Sequence, residues 1–179
     1  MAALPRRTPW WQRINLRIVV FILAVVTPIG YLVWPAVELA VTGGIRNRGD
    51  YFEVDLKKIS LFEMDQVNAT DASIPAEFRA LDGKRVLLVG EMYDPMSIGG
   101  DATRITEFDL VYSIAKCCVT SSPKIQHFVK SKVRPGMRVS YYPGRLVKVM
   151  GTFHVGIEKG TERIASVYRL DVESVEPVK

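Results

Sequence analysis

The stretch ITEFDLVYSI, residues 105–114, indicates the fold class because its side chains alternate between an apolar side and a side with charged residues. Phe108, Leu110, Tyr112 and Ile114 fall on one side of an extended chain, whereas Glu107 and Asp109 fall on the other. Alternation with a period of two residues is typical of a strand with one face in the core and one face in water. The stretch therefore predicts a half-buried β-strand.

Four more runs around this stretch have the same pattern. They cover residues 85–93 (RVLLVGEMY), 125–133, 146–155 and 164–172, and residues 158–162 (EKGTE) predict the hairpin between the last two. The residues expected inside are Val86, Leu88, Phe108, Leu110, Val147, Val149, Phe153 and Leu170. Glycines within two of the runs, Gly90 and Gly151, favour the sharp coiling of a small closed barrel. Five strands are too few for a β-sandwich and match the OB-fold, a five-stranded Greek-key barrel.

The N-terminal region has a different pattern, with an uncharged apolar run from Ile18 to Val37. About 20 residues in a helix cover the hydrocarbon core of a bilayer, which is about 30 Å thick. The run is too long for a cleaved signal peptide, and a buried core helix of this length would have a polar face. The sequence therefore predicts an uncleaved, membrane-spanning signal anchor.

The arginines of the N-terminal tail all precede this run, at Arg6, Arg7, Arg13 and Arg17. Positive charge is retained on the cytoplasmic side of a membrane, so the C-terminal part is expected in the periplasm of a bacterial inner membrane. The predicted organisation is a cytoplasmic tail at 1–17, a transmembrane signal anchor at 18–40, a linker and lead-in segment at 41–80, and an OB-like β domain at 81–179. Residues 51–66 are compatible with a strand, a helical turn or both.

Several segments in the C-terminal part resemble an uncharacterised bacterial family of exported or membrane-anchored proteins. They are LDGKRVLLVGEMYDP (81–95), TEFDLVYSIAKCC (106–118), VMGTF (149–153) and ASVYRLDVESVEP (165–177), in the family's order over about residues 80–177. The resemblance implies a small OB-type domain, and some members are encoded near ABC-transporter components. The family has a cysteine followed by a histidine and a run of prolines. This chain has the family's cysteine at Cys117, but Cys118 follows it, no histidine is nearby, and only Pro123 stands in place of the proline run. The missing histidine argues against a ligand site that would depend on it.

The adjacent cysteines Cys117 and Cys118 are the most unusual local feature. With His127 and His154, the only histidines in the chain, they could form a copper(I) or zinc site, and Met92, Met96 and Met150 could add thioether ligands. No CxxC or HxxxH spacing supports such a site, and cysteine and methionine are more often core residues. The favoured interpretation is therefore structural, with no cofactor, one cysteine (Cys118) in the core and the other at its rim.

Basic and aromatic residues form the best candidate binding face. Its members are Lys130, Lys132, Arg138, Tyr141, Tyr142 and Arg145. On an OB-type domain such a face could stack bases, but nucleic acid is not expected outside the cytoplasm, so anionic headgroups of the bilayer or solvent are the expected contacts. Glu91, Glu107 and Asp109 lack a neighbouring nucleophile, and no GxSxG pattern surrounds Ser140 or Ser166, which argues against catalysis.

These observations predict a membrane-anchored periplasmic module without catalysis, which binds other inner-membrane or periplasmic proteins as an accessory subunit of a transporter or other envelope complex. A metal or redox module built on the cysteines is the first alternative. An oligonucleotide-binding OB domain is the second.

Overall fold

The computed structural model describes residues 16–41, 44–93, 105–119, 122–161 and 163–178. It divides into two compact units, with the boundary between Val41 and Thr42. The first contains helix α1, and the second contains a mixed β-sheet with short helices.

Helix α1 spans Leu16–Val41 and is apolar along most of its length. Its window Arg17–Trp34 has a mean hydropathy of 2.1, and none of that window is buried within the protein. By length and composition α1 is therefore a helix that could cross a membrane, as the sequence predicts.

In its described residues, the second unit contains seven strands and two short α-helices. The strands are β1 (Ile45–Asn47), β2 (Phe52–Val54), β3 (Lys84–Tyr93), β4 (Glu107–Val111), β5 (Val129–Val133), β6 (Leu146–Lys159) and β7 (Ile164–Pro177). The helices are α2 (Leu56–Ser60) and α3 (Ala76–Arg79). All seven strands belong to one sheet, in the order β1-β2-β3-β4-β5-β7-β6. The mainly β prediction is confirmed, and two short strands precede the five predicted ones.

The pairings among the last five strands return to their starting point. β3 pairs with β4, β4 with β5, β5 with β7 and β7 with β6, and β6 pairs again with β3. Only the β5–β7 pairing is parallel within this cycle. The eight residues predicted to lie inside these strands are all buried, with at most 4% of any of them exposed. The prediction of strand faces is therefore confirmed.

In two places a turn replaces one end of a predicted strand. The strand predicted at 105–114 ends at Val111, and a π-helical turn follows at Ala115–Val119. The strand predicted at 125–133 begins only at Val129, since residues Ile125–His127 form a 3₁₀ turn. In both places an apolar residue every second or third position fits a turn as well as a strand, and period alone does not separate them. The hairpin between β6 and β7 is present as predicted.

Residues 44–80, assigned to a linker and lead-in segment from the sequence, contribute to the same core. Residues 51–66 form both a strand and a helix, β2 and α2. Leu56, Ile59 and Phe78 are buried, and the Ile59 carbonyl accepts a 2.9 Å hydrogen bond from the Tyr168 hydroxyl on β7. Burial raises the pKa of Tyr168 far above its ordinary value. The compact unit therefore begins near residue 42 rather than near residue 81.

Candidate functional site

A cleft of about 710 Å³ lies on the outer face of the sheet, across strands β4, β5, β7 and β6. Charged side chains dominate its lining. They are Glu107 and Asp109 on β4, Lys130 and Lys132 on β5, Arg169 and Asp171 on β7, and His154 and Glu158 on β6. The alternation that buries Phe108 and Leu110 directs the intervening residues of each strand into this cleft. The fold therefore collects four acidic side chains, three basic side chains and one histidine on one surface.

Opposite charges face each other across neighbouring strands of the cleft. Glu107 is directly opposite Lys132, and their Oε1 and Nζ atoms lie 3.3 Å apart. Lys132 is in turn opposite Asp171, whose Oδ2 lies 3.0 Å from Nε2 of His154. Cross-strand neighbours of opposite charge stabilise a sheet only slightly when they are exposed. The arrangement is therefore more informative about binding than about stability.

Glu158 extends this pattern at the end of the cleft near the β6–β7 hairpin. Its Oε2 accepts a 2.7 Å hydrogen bond from the Ser166 hydroxyl, and its Oε1 lies 3.3 Å from Nη1 of Arg169. The Ser166 hydrogen bond and the charge of Arg169 lower the pKa of Glu158 below its ordinary value. Glu158 is thus an ionised group at neutral pH and is held in place by two neighbours.

Aromatic rings lie close to the cleft at the C-terminal end of β3. Tyr93, which lines the cleft, packs against Phe128 with ring centroids 6.0 Å apart. Both rings are half-buried. The cleft therefore combines a charged floor with an aromatic border.

The carboxylates considered for acid–base chemistry serve other contacts. Glu107 pairs with Lys132, and Oε2 of Glu91 accepts a 3.2 Å hydrogen bond from the backbone amide of Ile114. The Ser131 hydroxyl donates to the carbonyl of Val129 rather than to a histidine. Among the described residues of the cleft, no serine is activated by a hydrogen bond to His154.

The predicted basic-aromatic face is divided by the structure into two groups. Lys130 and Lys132 lie in the cleft, together with His154. Arg138, Tyr141, Tyr142 and Arg145 lie in the segment between β5 and β6. The arginines are exposed, and the tyrosines are half-buried against the core. The sequence could not separate these groups because it gives no strand pairing.

The four predicted metal ligands have different surroundings. Cys117 is buried in the π-helical turn, and the side chain of Cys118 lies outside the described part of the chain, as does Met96. His127 is buried, with its ring 6.4 Å from that of Tyr112, whereas His154 is half-exposed beside Asp171. In the described ranges, no three His, Cys, Asp or Glu side chains are grouped so that they could hold a metal ion. Met92 is a core residue.

The surroundings of His127 affect its charge. Burial and the nearby Lys124 ammonium lower the pKa of His127, and the Glu63 carboxylate only partly opposes them. Nδ1 of His127 faces the backbone amide of Lys124 at 3.4 Å, a long distance for a hydrogen bond. His127 is therefore neutral near pH 7 and helps to pack the 3₁₀ turn before β5.

A buried pair of amides, which the sequence analysis did not identify, lies beside this turn. Gln126 is 1% exposed, and its Oε1 accepts a 3.0 Å hydrogen bond from Nε2 of Gln66. Nε2 of Gln126 donates to the Phe62 carbonyl, and Oε1 of Gln66 accepts from the Ile125 amide, both at 2.9 Å. Glutamines 60 residues apart give no local signal. The network attaches residues 62–66 to the turn before β5.

Comparisons with known proteins identify a structural neighbour of this chain. No protein-family model matches the sequence, and no curated protein matches it. Among solved structures, the crystal structure of a DUF3299 family protein from Pseudomonas aeruginosa is similar, with 19% sequence identity and a TM-score of 0.48. The match covers 73% of this chain and 98% of that one. DUF3299 is an uncharacterised bacterial family, like the family that the sequence resembles, and the description of the neighbouring structure gives no activity.

Proposed function

We propose that this protein is a membrane-anchored, non-catalytic binding module that docks a partner protein of the bacterial envelope, such as a transporter subunit. The single observation that carries the proposal is the cleft across β4, β5, β7 and β6, with its rows of opposite charges. Surfaces of this kind give specificity and orientation to a partner with the complementary charge pattern.

The strand connectivity supports an OB-type barrel as the scaffold of this surface. The order β3-β4-β5-β7-β6 closes on β3, with one parallel pair, between β5 and β7. The pairings lead from Met92 through Leu110, Val129 and Tyr168 to Val155. In the antiparallel pairing of β6 with β3, Phe153 is opposite Lys84, which places Val155 opposite Asp82. A path around the five strands that starts at Met92 of β3 therefore returns to β3 at Asp82, which is a register shift of about ten residues. Small closed barrels require such a stagger.

The position of the cleft fits this scaffold. OB-folds bind their ligands on the face formed by the second and third strands and the loops beside them. In the five-strand cycle these strands are β4 and β5, which supply four of the charged residues of the cleft. The β6–β7 hairpin, near Glu158, corresponds to one of the bordering loops.

The charges of the cleft favour a protein over a nucleic acid as the partner. Four carboxylates line it, from Glu107, Asp109, Glu158 and Asp171, against three basic side chains and one histidine. Single-stranded nucleic acid binds in grooves that are strongly positive along the phosphate track. A phosphate backbone would be repelled by half of this surface, whereas a protein segment with both signs of charge could match it.

Helix α1 and the tail before it support membrane attachment and a periplasmic location. The helix is long and apolar enough to cross a bilayer, and the four early arginines favour a cytoplasmic N-terminus. On this proposal the β domain works in the periplasm beside the inner membrane. Partners that share this membrane would meet the domain at a high effective concentration.

Site-specific photo-crosslinking in intact cells tests the proposal. A photoreactive residue replaces Lys132 in the cleft, and the control replaces Val89, an outward residue of β3 that does not line the cleft. We expect a discrete crosslink from position 132 to an envelope protein, identified by mass spectrometry, and none from position 89. Equal crosslinking from both positions, or none from position 132, would count against the proposal.

A further inference from the structure

The middle of the chain has a strong imbalance of charge. No aspartate or glutamate lies between Asp109 and Glu158, whereas eight lysines and arginines do. Three of these bases pair with carboxylates from other parts of the chain. The pairs are Lys124–Glu63, Lys132–Glu107 and Arg134–Glu173. The remaining bases include two arginines in the segment that connects β5 to β6.

These two residues, Arg138 and Arg145, are exposed. Within the part of the chain that the structure describes, neither has an ion-pair partner. In the cleft, in contrast, Lys132 pairs with Glu107 and Arg169 pairs with Glu158. Guanidinium groups without an internal partner are available to bind an external anion.

The connecting segment is held in a defined shape by two Pro-Gly turns. In the first, the Met137 amide donates to the Arg134 carbonyl at 3.1 Å, and Gly136 has a φ of 86°. In the second, the Arg145 amide donates to the Tyr142 carbonyl at 3.3 Å, and Gly144 has a φ of 64°. Proline followed by glycine with positive φ is the pattern of a type II turn. The turns therefore limit the conformational entropy that Arg138 and Arg145 lose on binding.

The segment is also attached to the core between the two turns. The Ile105 amide donates to the Val139 carbonyl at 3.1 Å, and Val139 is buried. Tyr141 and Tyr142 are half-buried against the core. Partly exposed tyrosine beside arginine is typical of surfaces that lie at the headgroup layer of a bilayer.

We propose that the segment from Arg134 to Lys148 binds the phosphate headgroups of anionic phospholipids through Arg138 and Arg145. The inference rests on the membrane anchoring in the proposed function, but not on the cleft or its partner. Only a few residues separate the end of α1 at Val41 from the start of β1 at Ile45, so an anchored chain keeps the β domain at a lipid surface. Each basic group near such a surface adds to binding, and salt weakens the effect.

Hydrogen exchange of the full chain in nanodiscs measures this contact. One set of discs contains phosphatidylcholine alone, and the other contains equal parts of phosphatidylcholine and phosphatidylglycerol. We expect several-fold slower amide exchange across residues 134–148 in the anionic discs, and loss of the difference at high salt. The variant R138Q/R145Q should lower the equilibrium constant for docking to the anionic lipid surface about 30-fold. It should therefore abolish the difference in amide exchange between the two kinds of disc. The control K130Q/K132Q, in the cleft, should retain it.

Three results would overturn the inference. The first is equal amide exchange across residues 134–148 in both kinds of disc, and the second is loss of the difference between the discs in the cleft control. The third is the same slowing of exchange when inorganic phosphate is added to phosphatidylcholine discs, which would indicate a site for the free anion. Exchange in β3 and β6 reports whether a variant is folded. Failure of the chain to enter discs at all would instead refute the proposed membrane anchoring.

Discussion

Gly151 on β6 lies directly against the backbone carbonyl of Asp171 on β7, so closely that a methyl group at Gly151 would overlap the carbonyl oxygen. The pairing is irregular at this point, because Met150 is opposite Ser174 whereas Gly151 is opposite Val172. The extra residue on β7 is Glu173, whose carboxylate pairs with Arg85 and Arg134. A bulge at this point sharpens the twist of the two strands, and glycine permits their close approach.

Replacement of Gly151 by alanine should therefore destabilise the β domain by about 3 kcal/mol, at the upper end of the cost of overpacking. Backbone atoms form the obstacle, so a side-chain rotation cannot relieve it. The matched control is Gly156→Ala on the same strand, where the nearest atom to a new Cβ would be Oδ1 of Asp71 at 3.6 Å. Urea unfolding measures both, and equal stabilities for the two variants would contradict the close approach.

A pair of identical substitutions tests the assignment of inner and outer faces. Leu110 is completely buried on β4, whereas Leu146 is 45% exposed at the start of β6. Leu110→Ala should cost about 2–5 kcal/mol through lost burial and a cavity, and Leu146→Ala about 1 kcal/mol or less. The free energies of unfolding are compared at the same pH. A larger loss at Leu146 would mean that the faces are reversed.

Stability should decrease as the pH falls below about 6.5, because of His127. Burial lowers the pKa of this histidine in the folded state, so the unfolded chain takes up its proton more readily. The stability that His127 contributes is complete above its pKa in the unfolded state. This stability is lost as the pH falls through the lower pKa of the folded state. Between about pH 7.5 and 5.5, His127→Gln should flatten the decrease in unfolding free energy. Parallel profiles for the wild type and His127→Gln would refute the expectation.

The orientation of α1 can be tested with reporters at both ends of the chain. Since Arg6, Arg7, Arg13 and Arg17 all precede the apolar run, an alkaline phosphatase fused after Lys179 should fold in the oxidising periplasm and be active. The same enzyme fused before Met1 should be inactive. Activity of a reporter that works only in the cytoplasm, placed after Lys179, would contradict the orientation.

The sequence predicts the faces of the central strands well, because alternation along a strand is a local property. Val86, Leu88 and Phe153 are buried as expected. The alternation did not predict where β4 ends. Cys118 was expected to lie on the inward face with Phe108 and Leu110, and this expectation required the strand to continue beyond Val111. A π-helical turn replaces that strand, and the buried residue that the structure describes there is Cys117.

The candidate site depends on long-range pairing, which one-dimensional patterns do not contain. Lys130 and Lys132 were identified as binding residues, but the carboxylates that face them were considered only as catalytic candidates. Asp171 and Glu158 join them through β7 and β6, which are distant in sequence. The contribution of residues 44–80 to the core was also missed, because Leu56 and Ile59 lie in a helix of five residues with too short a pattern to detect.

A charge exchange within the cleft tests most directly whether that surface binds a partner. Lys132→Glu breaks the pair with Glu107, and the double variant Lys132→Glu/Glu107→Lys restores an opposite pair with the signs exchanged. The measurement is the amount of the crosslinked envelope protein that co-purifies with the tagged full chain from solubilised membranes. We predict that the double variant folds but does not retain the partner, because the partner would meet reversed charges. Undiminished co-purification with both variants would contradict the assignment of the cleft as the docking surface.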